Sequence, residues 1–93
     1  MPRGPDQGAK LLAAAREAFE SGDPERTLEL TERHAAAYPK STLAEERIAL
    51  RGLAFCALQR FDDGLRALRA ARGAQSPLHA AALRACKSAR PAR

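Results

Sequence analysis

Two stretches of this chain carry the same residue pattern at a spacing of about 37 positions. In each, a stripe of large and small apolar residues at helical spacing precedes a tight turn, and a second helix then begins with a small residue beside leucine. The first stretch contains Leu11, Ala15, Ala18, Thr27, Leu28, Thr31 and Tyr38-Pro39, and the second contains Ile48, Gly52, Phe55, Gly64, Leu65, Leu68 and Gln75-Ser76-Pro77. Such repetition is typical of stacked helix-turn-helix units, which bury their apolar faces against neighbouring units.

The composition favours one all-α domain with a shallow core. Of the 93 residues, 45% are hydrophobic, but only 4% are aromatic and roughly a quarter are alanine. Alanine is the best helix former and lets helices approach closely. No stretch keeps the apolar/polar alternation of a strand for more than a few residues.

Breakers and capping residues divide the chain into five predicted helices. Gly22-Asp23-Pro24 combines a helix-ending glycine with an N-cap and a first-turn proline, and Pro39 closes the second helix. Thr42 and Glu45 form a capping-box pattern before the third helix, which is apolar on nearly every side and is therefore expected to be central. The predicted helices span residues 7–21, 24–38, 43–60, 61–72 and 77–88, between a frayed leader at residues 1–6 and a loose basic tail at residues 89–93.

The charge is divided unevenly along the chain. The net charge is +5, yet residues 1–47 hold 7 basic and 9 acidic residues, whereas residues 48–93 hold 9 basic and 2 acidic ones. This asymmetry is compatible with an anionic partner. The alternative is a set of arginine-rich helix faces that are simply solvated.

The two cysteines do not form a metal-binding pattern. A structural zinc site needs four Cys or His ligands in close pairs, and Cys56, Cys86, His34 and His79 lie at unrelated spacings. Each cysteine is expected to pack as a small apolar residue with a free thiol, and a Cys56–Cys86 disulfide is the alternative. No metal or cofactor is predicted.

No targeting signal or membrane span is predicted. The apolar run at residues 11–15 is shorter than a signal-peptide core, and no run approaches the roughly 20 apolar residues of a transmembrane helix. A complete chain of this kind is expected in the cytoplasm.

The repeat resembles the tetratricopeptide repeat, a helix-turn-helix unit of about 34 residues. The resemblance covers residues 7–88 and rests on small residues at helix crossings and prolines at unit ends, namely Ala15, Thr27, Pro39, Gly52, Phe55, Gly64, Ala71 and Pro77. It implies a right-handed α-solenoid of about two helix pairs with a C-terminal capping helix. There is no tryptophan, Ala18 replaces the usual tyrosine, and the unit is about three residues longer than the family norm. These longer units are similar to divergent bacterial envelope modules, which implies an envelope or periplasmic location if the chain is an excised domain.

The resemblance also implies a non-catalytic scaffold that binds a peptide or helix of a partner protein. In this family, the first helices of the units line a concave groove. The matching positions here are Leu12, Arg16, Phe19, Glu46, Leu53 and Arg84. Arginines in such a groove could hold carboxylates by charge-assisted hydrogen bonds. With so few repeats, Phe19 and Leu53 could equally be covered by neighbouring helices.

Two other functions are considered, and catalysis is not expected. Polyanions or nucleic acid could bind the basic second half through Arg60, Arg66, Arg69, Arg72, Arg84, Lys87, Arg90 and Arg93, although no interleaved aromatic residues are present for base stacking. A homodimer could form if exposed apolar ends pair symmetrically. Neither histidine has an evident catalytic partner, and neither cysteine has a recognisable base beside it.

Overall fold

Five α-helices and no strand make up the part of the chain that the computed structural model describes, residues 5–69 and 77–89. The helices are α1 (Pro5–Glu20), α2 (Pro24–Ala37), α3 (Ala44–Ala57), α4 (Phe61–Arg69) and α5 (Pro77–Ala89). The all-α prediction is confirmed for these residues. Helix α1 begins two residues earlier than expected and so includes the end of the predicted leader. Residues 1–4, 70–76 and 90–93, with Ala71, Arg72 and most of the predicted tail, lie outside the described residues.

The turn between α1 and α2 follows the sequence prediction. Gly22 has a φ of 86°, the left-handed conformation that glycine adopts without steric cost. The Asp23 N–H donates to the Ala18 carbonyl at 2.8 Å and the Gly22 N–H donates to Phe19 at 3.1 Å, which is the Schellman pattern of helix ends. The Asp23 carboxylate accepts the Arg26 N–H at 3.1 Å and thereby caps α2.

The end of α3 repeats this turn, three residues earlier than predicted. Gln59 is left-handed with a φ of 64°. The Arg60 N–H donates to the Phe55 carbonyl at 2.8 Å, and the Gln59 N–H donates to the Cys56 carbonyl at 3.0 Å. Gln59 therefore has the role of Gly22, 37 residues later. The sequence prediction missed this end because glutamine is not a usual signal for the left-handed conformation.

The capping box predicted for α3 does not form. Leu43 is the N-cap, without a side-chain cap hydrogen bond, and Thr42 is exposed. The Ser41 hydroxyl accepts the Leu43 N–H at 2.9 Å instead. A local turn thus satisfies the backbone before the helix begins.

Small residues lie where the two helices of each repeat unit cross, α1 with α2 and α3 with α4. Where α1 meets α2, the buried Thr27 hydroxyl donates to the Ala15 carbonyl at 3.3 Å. Where α3 meets α4, a Cβ atom added to Gly64 would lie 2.9 Å from the Gly52 carbonyl oxygen. Positions 37 residues apart therefore have the same role in the two helix pairs.

Helix α3 is central, as its apolar circumference predicted. It packs on each of the other four helices. One buried cluster joins α1, α2 and α3 through Leu12, Ala15, Ala18, Leu30 and Leu50. The other joins α3, α4 and α5 through Ala49, Cys56, Leu65, Leu68, Ala82 and Cys86. Within the described residues, α2 and α4 both pack on α3 without contacting each other.

Cys56 and Cys86 form a disulfide between α3 and α5, so the expectation of free thiols is wrong. Their Cα atoms are 5.5 Å apart, and the two residues are 5% and 1% exposed. The error has a simple cause, since 30 residues separate them and only the packing of α5 on α3 brings them together.

Among the helices that the structure describes, none combines the length and the hydropathy that a transmembrane segment requires.

Candidate functional site

Leu12 was predicted to contact a partner, and the structure contradicts that prediction. Its side chain is 1% exposed and packs in the cluster between α1, α2 and α3. The helical spacing placed Leu12 near the correct face of α1 but did not show how deeply α3 covers it. Leu12 is a core residue.

Two other predicted site residues are brought together. Arg16 on α1 and Glu46 on α3 form an ion pair between helices, with side chains 50% and 20% exposed. Because Arg16 is half-exposed, the pair contributes little to stability and its guanidinium remains open to solvent.

The remaining predicted residues lie along the same three helices. Phe19 is half-buried against the cluster of α1, α2 and α3, and Leu53 is half-buried against the cluster of α3, α4 and α5. Arg84 is exposed on α5. We use the name α1–α3–α5 face for the set of Arg16, Phe19, Glu46, Leu53 and Arg84, which were predicted to share one binding surface.

A concave surface that the sequence did not predict lies between α2 and α4. Since these helices both pack on α3 but not on each other, α3 forms the floor of an open groove of about 350 Å³. We call it the α2–α4 groove. Its lining includes Glu32, Ala35, Arg47, Ile48, Arg51 and Ala67.

Arg47 lies in this groove without a described carboxylate partner. Its guanidinium donates to His34 Nδ1 at 3.2 Å and to the Tyr38 carbonyl oxygen at 3.4 Å, and both acceptors are neutral. Burial lowers the pKa of Arg47, and the positive charge of Arg51 lowers it further. The groove therefore holds a partly buried cation that no described anion neutralises.

Arg51 is the second cation of the groove. It lies 3.5 Å from Glu32, whose side chain is 67% exposed, so this pair is weak and screened by water. The guanidinium carbons of Arg51 and Arg60 lie 5.2 Å and 4.8 Å from the centre of the Phe55 ring. These cation–π contacts help to orient both arginines.

His34 lies beneath the groove and accepts a hydrogen bond from Arg47. It is completely buried, and burial is the main cause that lowers its pKa, followed by the charge of Arg47. Because Arg47 donates to Nδ1, that nitrogen is the acceptor and Nε2 carries the hydrogen. Nε2 has no described hydrogen-bond partner, and a Cβ atom on Gly8 would lie 3.2 Å from it.

Another depression, of about 470 Å³, lies over the turn between α1 and α2. Its polar groups already have local roles: Asp23 caps α2, and the Ser21 hydroxyl donates to the Glu17 carbonyl at 2.9 Å. In the described chain, no group of three or more His, Cys, Asp or Glu side chains is placed to hold a metal ion.

Comparison with known proteins finds no family model, curated protein or solved structure that matches this chain. The described residues form an all-helical fold with an open groove over its central helix, α3.

Proposed function

We propose that this chain is a non-catalytic protein-interaction module, a right-handed tetratricopeptide-like solenoid that binds a peptide or helix of a partner protein. The observation that carries the proposal is the repetition of one unit. Both helix pairs end their first helix with a Schellman turn and cross at small residues, in each case 37 positions apart. Such units present a continuous surface rather than an enclosed pocket.

The order of helix contacts supports a stacked arrangement. Helix α3 packs on both α1 and α5, whereas α2 and α4 do not touch in the described chain. These contacts support the proposal that the first helices of the units lie next to each other on one side of the molecule. That side is the α1–α3–α5 face.

This face suits an acidic amphipathic helix or an acidic C-terminal segment. Phe19 and Leu53 offer partly exposed apolar surface, and Arg16 and Arg84 offer exposed guanidinium groups. A ligand carboxylate would compete with Glu46 for Arg16. That exchange costs little because the existing pair is partly solvated.

Site-specific photocrosslinking in the source cell tests the proposal. A photoreactive amino acid at Arg84 on α5 should crosslink a discrete partner, and the same amino acid at Arg69, which is also exposed but lies on α4, should not. Replacing both Arg16 and Phe19 with alanine should abolish that crosslink and leave helicity and melting temperature almost unchanged. Equal crosslinking from both positions, or a large loss of stability in the double variant, would contradict the proposal.

For the compartment, we propose an oxidising one such as the bacterial periplasm. A buried Cys56–Cys86 disulfide supports this location, because cytosolic thiols are normally kept reduced. Alkylation of free thiols immediately on cell lysis, followed by mass spectrometry of the intact chain, would decide it. Two alkylated cysteines would place the protein in a reducing compartment.

A further inference from the structure

We infer that the α2–α4 groove is a second binding site, separate from the α1–α3–α5 face, and that it takes a single peptide carboxylate, the side chain of an aspartate or glutamate flanked by apolar residues. The groove is built by three consecutive helices, and its two arginines belong to the middle helix, α3. Its occupant is identified by charge and by size.

The charge of the groove leaves room for one negative group. Arg47 and Arg51 contribute two positive charges and Glu32 contributes one negative charge. One carboxylate between the two guanidinium groups would neutralise the site through charge-assisted hydrogen bonds. A phosphate dianion would exceed this balance and would approach Glu32 at the rim.

The positions of the arginines favour a shared ligand. They lie four residues apart on α3 and therefore on the same face of the helix. Arg47 is held by His34 Nδ1 and the Tyr38 carbonyl, and Arg51 is held against Phe55. Two like charges oriented by neutral groups on one side of a helix repel each other until an anion lies between them.

The walls of the groove explain why a peptide is preferred to a small inorganic ion. Ala35 of α2, Ile48 of α3 and Ala67 of α4 provide aliphatic surface beside the arginines. A volume of about 350 Å³ is at the lower end of ligand pockets, which suits a few side chains of an extended segment rather than a whole helix.

The test is an NMR titration of the intact protein with a capped tripeptide of sequence Leu-Glu-Leu. Its glutamine counterpart and inorganic phosphate are the comparison ligands. The glutamate peptide should shift the methyl signals of Ala35, Ile48 and Ala67 and should bind more tightly than either comparison ligand.

Three variants are expected to change the affinity for the glutamate peptide in different ways. Arg51→Gln should weaken binding about tenfold or more, because it removes one charge-assisted contact. Glu32→Gln should strengthen binding by removing the competing carboxylate. Arg33→Gln, an equal change of charge at a site 59% exposed on α2, should have no effect.

The inference is overturned if the glutamate peptide leaves those methyl signals unchanged, if phosphate or the glutamine peptide binds equally well, or if Arg51→Gln binds like the native protein. The Arg16→Ala/Phe19→Ala variant should bind the tripeptide normally. Loss of partner crosslinking with retained tripeptide binding would thus separate the two proposals.

Discussion

At the scale of single residues, the burial of His34 makes the stability of the fold depend on pH. The pKa of this imidazole is below the ordinary value of 6.5 because it is buried and lies beside the Arg47 guanidinium. The unfolded chain therefore binds the proton more readily than the folded chain as pH falls below about 6.5. The free energy of unfolding should be highest above that pH and should decline as pH falls towards the folded-state pKa.

Chemical denaturation at pH 8, 6.5 and 5 measures this dependence. His34→Gln should remove most of the decline between pH 6.5 and 5. If the His34 variant lost stability with pH as steeply as the native protein, the decline would have to come from other groups.

Gly52 is required where α3 crosses α4. An added Cβ atom would lie 2.5 Å from Cγ of Leu68, a side chain with no exposed surface. Gly52→Leu should therefore destabilise the protein by at least the usual cost of overpacking, about 1–3 kcal/mol. Arg69→Ala, at an exposed position on α4, should be nearly neutral. Denaturant midpoints that showed equal tolerance of both changes would contradict this register.

At the scale of elements, the two left-handed turns allow a prediction of opposite signs. Gly22 and Gln59 have the same role at the ends of α1 and α3. For a residue with a Cβ atom, the left-handed conformation costs roughly 1 kcal/mol or more. Gln59→Gly should therefore stabilise the protein by about 1 kcal/mol, and Gly22→Gln should destabilise it by a similar amount. Thermal melts of the two variants would test the pair, and a loss of stability in Gln59→Gly would show that its side chain makes a compensating contact.

Helix α5 depends on the disulfide for part of its attachment. A crosslink that closes a loop of 30 residues contributes about 3–4 kcal/mol if it acts through the entropy of the unfolded chain. Reduction should lower the denaturation midpoint by a corresponding amount. In the Cys56→Ala/Cys86→Ala variant, the reductant should have no effect. An unchanged midpoint on reduction of the native protein would show that packing alone holds α5.

At the scale of the whole molecule, part of the positive charge in the described second half is paired with a carboxylate. Arg60 and Arg66 both pair with Asp63, at 2.9 Å and 3.6 Å. We therefore expect no tight, salt-sensitive binding to DNA or RNA. Fluorescence anisotropy at increasing salt tests this, because phosphate binding weakens by orders of magnitude across the physiological range. Tight binding that is lost on replacing Arg66, Arg69 and Arg72 would establish the polyanion function instead.

Much of the local structure could be predicted because its causes lie within a few residues. Gly22, Asp23 and Pro24 specify one turn through their own backbone preferences, and the apolar circumference of α3 indicated its central position. The end of α3 was predicted three residues too late. Counting 37 residues from Gly22, the left-handed residue after α1, gives Gln59, which is the left-handed residue after α3. The capping box at Thr42 failed because a nearby serine made a competing local turn.

The candidate sites were less predictable because they depend on contacts between distant residues. The family resemblance implied that Arg16 and Glu46 lie on one surface, and the two side chains do form an ion pair. Spacing could not show that the cluster of α1, α2 and α3 buries Leu12, that α2 and α4 leave a groove beside Arg47, or that the packing of α5 brings Cys86 to Cys56. Helical periodicity defines the direction of a side chain on its own helix, whereas burial, pairing and cavity shape arise only when helices from different parts of the chain pack together.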